Sequence, residues 1–310
     1  VSLRRHLLNQ CLRWTEKPLL SRGSPQLLRR ALEVQARLFF RTPRAVKAVW
    51  RELPLGPRAL WLSPPQSGAR VILYIHGGGF VFGSPLTHRA MLARLALLTD
   101  AEVVLPTYAR VPEARFPAAA RDVHAAWDSL LALGIAPQNI ILGGDSAGGA
   151  LAFDLLAQLC QEGGGLPAGV FGLSPLLDMT FSGSSFRENA GCDVLLPAQR
   201  AAEMAGLYLN GKSADDPRAS PLFADYTGAP PIWLTVSDSE ILRDDSRRLA
   251  SRLCKAALPV TLQEEHDLPH VWPLFHNHLP EAQRTLEALG QWINALPPAP
   301  LGGPDRAGES

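Results

Sequence analysis

Cysteine is scarce in this chain, and its spacing is uninformative. The four cysteines among 310 residues, Cys11, Cys160, Cys192 and Cys254, lie far apart with no Cys-x-x-Cys pair. That pattern suggests neither a zinc site nor a dithiol redox centre, and it fits a reduced protein. A strong net charge is also missing: 30 Lys and Arg face 29 Asp and Glu, a formal charge of +1, so the chain as a whole advertises no polyanionic partner. No apolar run approaches the ~20 residues of a membrane-spanning helix, and the arginine-bearing N-terminus lacks the unbroken apolar stretch of a signal peptide. The glycine-rich segments have neither the Gly-Lys-Ser/Thr ending of a P-loop nor the Gly-x-Gly-x-x-Gly of a dinucleotide site. These absences lead to the expectation of a cytoplasmic protein with no membrane span and no nucleic-acid partner. The start at Val1 leaves processing of the N-terminus open.

Apolar content, by contrast, is 46%, enough for one large core in a chain whose length fits an α/β domain with an insertion. Strand-like runs at 59–63, 70–75, 102–106, 139–143, 168–173, 232–237 and 259–263 alternate with helical stretches near 86–98, 117–133, 147–162, 242–257 and 280–296. The alternation predicts a mostly parallel central sheet flanked by helices. Two helices are predicted ahead of it. One carries Leu3, Leu7, Leu8, Cys11 and Trp14 at helical spacing, an apolar stripe expected to cover the pocket; the other opens at Ser24-Pro25, an N-cap followed by Pro at the first helical position. Between 179 and 225 the rhythm is broken by Ser/Gly-rich sequence, a short helix near 197–209 and a Pro-containing loop. Residues 297–310, rich in Pro and Gly, read as a disordered tail. Charge is uneven: residues 1–58 hold 13 Lys/Arg against 3 Asp/Glu, and the remainder 17 against 26. Such asymmetry marks a membrane-surface or nucleic-acid arm, or else a basic segment folded against an acidic body. The amphipathic pattern favours the second.

Two glycine motifs carry the chemistry. Gly144-Asp145-Ser146-Ala147-Gly148 follows an apolar run and precedes a helix-forming stretch, the context of a nucleophile elbow, where a serine sits on a sharp strand-to-helix turn and glycines keep side chains off the neighbouring backbone. Alone the pentapeptide is weak evidence. His76-Gly77-Gly78-Gly79-Phe80, after the run Val71–Ile75, strengthens it, because a glycine loop exposes backbone N–H groups to the negative oxygen that acyl transfer creates. Ser146 is thus the candidate nucleophile. His270, in the loop after the last strand run, is the candidate base and completes the order Ser, acid, His. His266, His276 and His278 stand nearby and raise a metal-site alternative, but Pro269 interrupts any helix that aligns His266 with His270, and no metal is expected. His76 is read as positioning the glycine loop. Two carboxylates, Asp238 and Glu240, follow the run 232–237, and either can reach an imidazole.

These motifs resemble the hormone-sensitive-lipase-like branch of the α/β-hydrolases, bacterial family IV carboxylesterases. Thr107-Tyr108-Ala109-Arg110-Val111-Pro112-Glu113 resembles the family's Asp-Tyr-Arg-Leu-Ala-Pro-Glu; Leu173-Ser174-Pro175 with Asp178, Asp216–Pro221, Glu240–Asp245 and Pro269–Trp272 match further stretches, so that the resemblance spans about residues 1–296. It implies an α/β-hydrolase fold, with 46–178 and 226–296 as the catalytic domain and 1–45 and 179–225 as two parts of a helical cap. The family's Asp-Pro-Leu-Arg-Asp aligns with Glu240-Ile241-Leu242-Arg243-Asp244, placing the acid at Glu240 with Asp238 as the alternative; Asp244 and Asp245 are then helix-capping residues. An oxyanion hole of Gly78, Gly79 and Ala147 N–H groups, no cofactor, and short- to medium-chain acyl esters as substrates are also implied. Three departures fall near the site: Thr107 for Asp, Ala109 for Arg, and Val271-Trp272 where many members have Gly-Phe. Alternatives are an amidase or arylacetamide deacetylase and, more remotely, a non-catalytic small-molecule receptor, against which the presence of both Ser146 and His270 argues. The expected partner is a small-molecule ester, with a homodimer left open.

Overall fold

The computed structural model describes residues 2–297; the tail expected over 297–310 lies, Pro297 apart, outside them. Eight strands, β1 (Lys47–Arg51), β2 (Ala59–Ser63), β3 (Val71–Ile75), β4 (Glu102–Pro106), β5 (Ile140–Asp145), β6 (Gly169–Leu173), β7 (Ile232–Ser237) and β8 (Val260–Glu265), form one sheet in the order β1-β2-β4-β3-β5-β6-β7-β8. Only the β1–β2 and β2–β4 pairings are antiparallel, so β2 alone runs against the rest. The helices are α1 (Leu3–Trp14), α2 (Glu16–Arg22), α3 (Pro25–Phe39), α4 (Pro85–Thr99), α5 (Ala118–Ala132), α6 (Ser146–Glu162), α7 (Ser185–Glu188), α8 (Ala198–Leu209), α9 (Arg243–Lys255) and α10 (Pro280–Ala295).

The strand residues alternate between two cores. Leu73, Val104, Leu142 and Leu234 pack with Ala126 and Leu130 of α5, Leu151 and Leu155 of α6, and Leu249 and Leu253 of α9. Ile72, Val103 and Ile141 pack on the other face with Leu92 and Leu95 of α4 and Leu286, Leu289 and Ile293 of α10. Coverage on both faces explains why β3 and β5, buried along their whole length, read as unbroken apolar runs.

All seven expected strand runs form strands. The eighth, β1, has no buried residue; at an exposed antiparallel edge, its three apolar residues between Lys47 and Arg51 are too short a run to mark it. Cation–π contacts hold this edge instead, with Arg51 over Trp61 at 4.6 Å and Arg58 over Trp50 at 4.8 Å. The N-terminal segment forms three helices rather than two. The chain re-initiates at Thr15, whose hydroxyl bonds back to Cys11 O at 2.8 Å, and Pro18 fits the first turn of α2, where a missing N–H breaks no helical bond. At Ser24 the expected cap forms, its hydroxyl accepting from Leu27 N with Pro25 following. The apolar stripe expected to cover the pocket is divided: Leu8 and Cys11 line the cavity, whereas Leu3, Leu7 and Trp14 point into solvent.

Candidate active site

Every candidate residue lies at or just beyond the C-terminal end of a parallel strand, the edge where α/β sheets gather ligand-binding loops. Ser146 follows β5 and opens α6 with φ 50°, a left-handed conformation that non-glycine residues rarely adopt. The flanking glycines are required by close approach. A Cβ on Gly144 would lie 2.5 Å from Gly148 O, and one on Gly148 would lie 2.1 Å from Ile75 O. Beyond β3, Gly78 (φ 122°) and Gly79 (φ 58°) turn the chain through backbone angles that favour glycine. Both residues line the cavity. Ala147, as the second residue of α6, has an N–H with no partner inside its helix.

Buried side chains hold the glycine loop. Asp145, beside Ser146, accepts from Gly77 N at 2.9 Å and Tyr74 OH at 2.8 Å and pairs with His88. Burial alone would push the Asp145 carboxyl up, but His88 and these hydrogen bonds carry it below the ordinary value. His76 stacks on Tyr108 at 4.4 Å and donates from Nδ1 to Gly77 O. Burial, with His88 adjacent, pushes the His76 imidazole down to about 3, which keeps it neutral and suits its expected positioning role. The Tyr-Ala-Arg-Val-Pro-Glu stretch acts from the other side: Arg110 donates to Gly83 O, while Arg29 binds Val81 O, Val111 O and, bidentately, Glu113.

His270 lies in the loop after β8, with Nδ1 2.5 Å from Glu240 Oε2. The other carboxylate oxygen accepts from Ser174 Oγ and Ser237 N, both at 2.8 Å. Burial by itself would lower the His270 pKa; the Glu240 charge and hydrogen bond outweigh it and raise the imidazole above its ordinary value, with Asp193 and Asp145 contributing. His270 Nε2 is buried without a hydrogen-bond partner among the described residues, so Ser146 Oγ is not yet bonded to it. Both residues nevertheless line one cavity of about 390 Å³.

Asp238 does not join this group. Its Oδ2 meets the exposed His266 Nδ1 at 2.6 Å and its Oδ1 accepts from Asp267 N, closing the turn between β7 and the histidine loop. The four neighbouring histidines diverge: His278 Nε2 bonds Phe39 O, and His276, pushed down to about 4 chiefly by burial, has an Nδ1 with no partner among the described residues. Asp244 and Asp245 do occupy the first turn of α9, but the capping reading needs correction. Asp244 accepts from Ser185 N as well as from Arg243 Nε, and Asp245 from Leu177 N and Asp178 N, so both carboxylates clamp other segments instead of capping the first N–H groups of α9.

The roles of several residues went unread in the sequence. Ser174 holds Glu240, as noted, and its hydroxyl also accepts from Val271 N at 3.3 Å. Asn189 donates to the carbonyls of both Asp238 and Glu240 at 2.8 Å, and buried Asp193 accepts from Ile241 N at 3.0 Å. Lys17 on α2 grips the same segment through Ala190 O and Asp193 O. One local signal existed: Asp193 also accepts from Leu195 N and Leu196 N, the turn that aspartate favours. Of the three departures, Thr107 bonds Arg58 O and Ala109 N bonds Asp122. Val271 sits at φ 51°, strained for a β-branched residue and natural for the glycine many family members carry there.

A family model described as the alpha/beta hydrolase fold matches residues 72–274. An acetyl-hydrolase of Streptomyces hygroscopicus is 38% identical over 235 residues, 76% of this chain and 79% of that protein. An esterase of Acinetobacter venetianus is 34% identical over 277 residues, covering 88% and 90%. The crystal structure of an esterase from the bacterial hormone-sensitive lipase family superposes with a TM-score of 0.90 at 36% identity, over 96% of this chain and 99% of that one. A sheet of this order, with an elbow serine after a central strand, and similarity of this extent make the chain a member of the α/β-hydrolase fold family, in its bacterial hormone-sensitive-lipase branch.

Proposed function

We propose that the protein is a serine carboxylesterase acting on short- to medium-chain acyl esters through an acyl-enzyme. The observation that carries this reading is the buried Glu240–His270 pair: His270 lines the same apolar cavity as the elbow serine, and its Nε2 has no hydrogen-bond partner among the described residues. His270 Nε2 takes the Ser146 proton as Oγ attacks the ester carbonyl. Glu240, held by Ser174 and Ser237, fixes the tautomer with the proton on Nδ1 and stabilises the imidazolium that forms. The carbonyl π electrons move to oxygen, and N–H groups of Gly78, Gly79 and Ala147 receive that negative charge, a contribution of about 3–4 kcal/mol per donor at such sites. Collapse of the tetrahedral adduct expels the alcohol, which takes the proton from His270. Water then repeats the sequence on the acyl-enzyme, leaving a carboxylic acid and free Ser146.

Helices α1–α3 and segment 179–225 act as a cap over the cavity in this reading. Leu12, Ala36, Phe181, Leu196 and Met204 line it and would embrace the acyl chain. The esterase and acetyl-hydrolase names of the two relatives support the ester reading.

A hydrolysis panel of p-nitrophenyl esters against matched anilides, with fluorophosphonate labelling, tests the proposal. Ester turnover with a single adduct on Ser146, both lost in Ser146→Ala without loss of fold, is expected. Turnover of anilides alone reassigns the protein as an amidase; neither turnover nor labelling leaves a small-molecule receptor; an adduct on Ser174 or Ser237 overturns the nucleophile.

A further inference from the structure

The helices that line the cavity on their inner side carry a second apolar face outside. On α1, Leu3, Leu7 and Trp14 fall within about 40° of one another around the helix and are 73%, 60% and 76% exposed. On α3, Leu27, Val34 and Leu38 do the same at 51%, 56% and 71%. Phe39 belongs to both sides, since it lines the cavity and is 59% exposed, which puts it at the mouth.

Charge surrounds these stripes. Arg5 and Arg29 turn inward to Asp267 and Glu113. Arg4, Arg30 and Arg37 are exposed and form no ion pair among the described residues. The basic surplus of residues 1–58 is therefore only partly answered by the acidic body.

An apolar stripe rimmed by arginines is the pattern of a helix lying in a membrane interface, with leucine and tryptophan reaching the acyl boundary and arginines meeting anionic headgroups. A second copy fits less well, because a two-fold contact would set this basic rim against itself. No helix among the described residues is long and apolar enough to cross a membrane, so attachment of this face would be peripheral. We propose that the outer face of α1 and α3 docks on an anionic lipid bilayer, with the cavity mouth at Phe39 turned toward the lipid. Entry of an ester directly from the bilayer rests in addition on the esterase reading; the docking does not.

Co-sedimentation of the full chain with vesicles of phosphatidylcholine, alone or mixed with phosphatidylglycerol, tests the docking. Binding to the mixed vesicles is expected to exceed that to pure phosphatidylcholine about tenfold or more. It should weaken as salt shortens the screening length from about 10 Å at 0.1 M to about 3 Å at 1 M. Arg30→Glu with Arg37→Glu, and separately Leu7→Ser with Leu38→Ser, should each reduce mixed-vesicle binding about tenfold, with circular dichroism and turnover of p-nitrophenyl butyrate in buffer unchanged. A fluorescence blue shift on vesicles that disappears in Trp14→Phe would place that residue in the interface. Equal binding to both compositions, no binding to either, or charge reversal without effect overturns the proposal. So does a dimer seen by light scattering that the leucine variants abolish while vesicle binding is absent. A chain that binds mixed vesicles and hydrolyses no ester retains the docking and loses only the esterase reading.

Discussion

Two carboxylate–histidine pairs lie side by side at the end of β7, and their geometry is nearly the same. Glu240 meets His270 at 2.5 Å and Asp238 meets His266 at 2.6 Å. Their surroundings differ. The side chains of His270 and Glu240 are 5% and 1% exposed, those of His266 and Asp238 74% and 36%. An exposed pair of this kind is screened by water and contributes about 0–1 kcal/mol. In the buried pair the second carboxylate oxygen is held by Ser174 and Ser237, and His270 lines the cavity that Ser146 also lines, its Nε2 without a hydrogen-bond partner among the described residues. Contact distance therefore does not mark the reactive pair. Burial and support of the carboxylate are what set the proposed catalytic pair apart from the exposed one.

The comparison breaks most visibly at the histidines. His270→Ala should lower ester turnover about 10⁴-fold or more, whereas His266→Ala should leave it unchanged; equal losses would erase the distinction. A smaller effect is expected at Ser174. Removing its hydroxyl strips one of the two bonds that orient the Glu240 oxygen facing away from His270, and kcat should fall about tenfold with KM little altered. A change confined to thermal stability would make Ser174 purely structural.

The pH profile sharpens the contrast without mutation. In the proposed mechanism His270 accepts the serine proton only when neutral, and its pKa lies above the ordinary 6.5. The acid limb of kcat/KM should thus have a midpoint above 6.5, activity falling as pH drops through it. Asp238→Asn should not move that midpoint, and Glu240→Gln, if residual turnover permits measurement, should move it down. The same raised value means that protonated His270 contributes stability fully present below the unfolded pKa and lost as pH rises through the folded one. The smallest effect belongs to the exposed pair: His266→Gln should change unfolding free energy by at most about 1 kcal/mol in a denaturant titration.

Much of this arrangement was legible in the sequence where chemistry and chain order coincide. Ser146 and the glycine loop follow buried parallel strands, which read as apolar runs, and His270 follows the last of them. The proposed acid was harder. Asp238 and Glu240 are two residues apart on one turn, and only the resemblance to a family separated them; what separates them in space is Ser174, 66 residues before Glu240. The contacts of Asn189 and Asp193 with the acid loop escaped notice because they are made to backbone groups 48 to 51 residues away, and such groups leave no pattern in the letters. The α1 stripe was misjudged for a related reason. With leucines on both faces, spacing identifies a helix and does not say which face is covered.

The most direct test of the account measures kcat for Glu240→Gln and Asp238→Asn side by side on one p-nitrophenyl ester. Glu240→Gln should lose about 10⁴-fold with substrate binding preserved, as expected when the carboxylate that sets the tautomer is removed. Asp238→Asn should stay within about threefold of the parent, in keeping with an exposed pair. An inactive Asp238→Asn beside a near-normal Glu240→Gln would contradict the account and move the acid to the exposed pair.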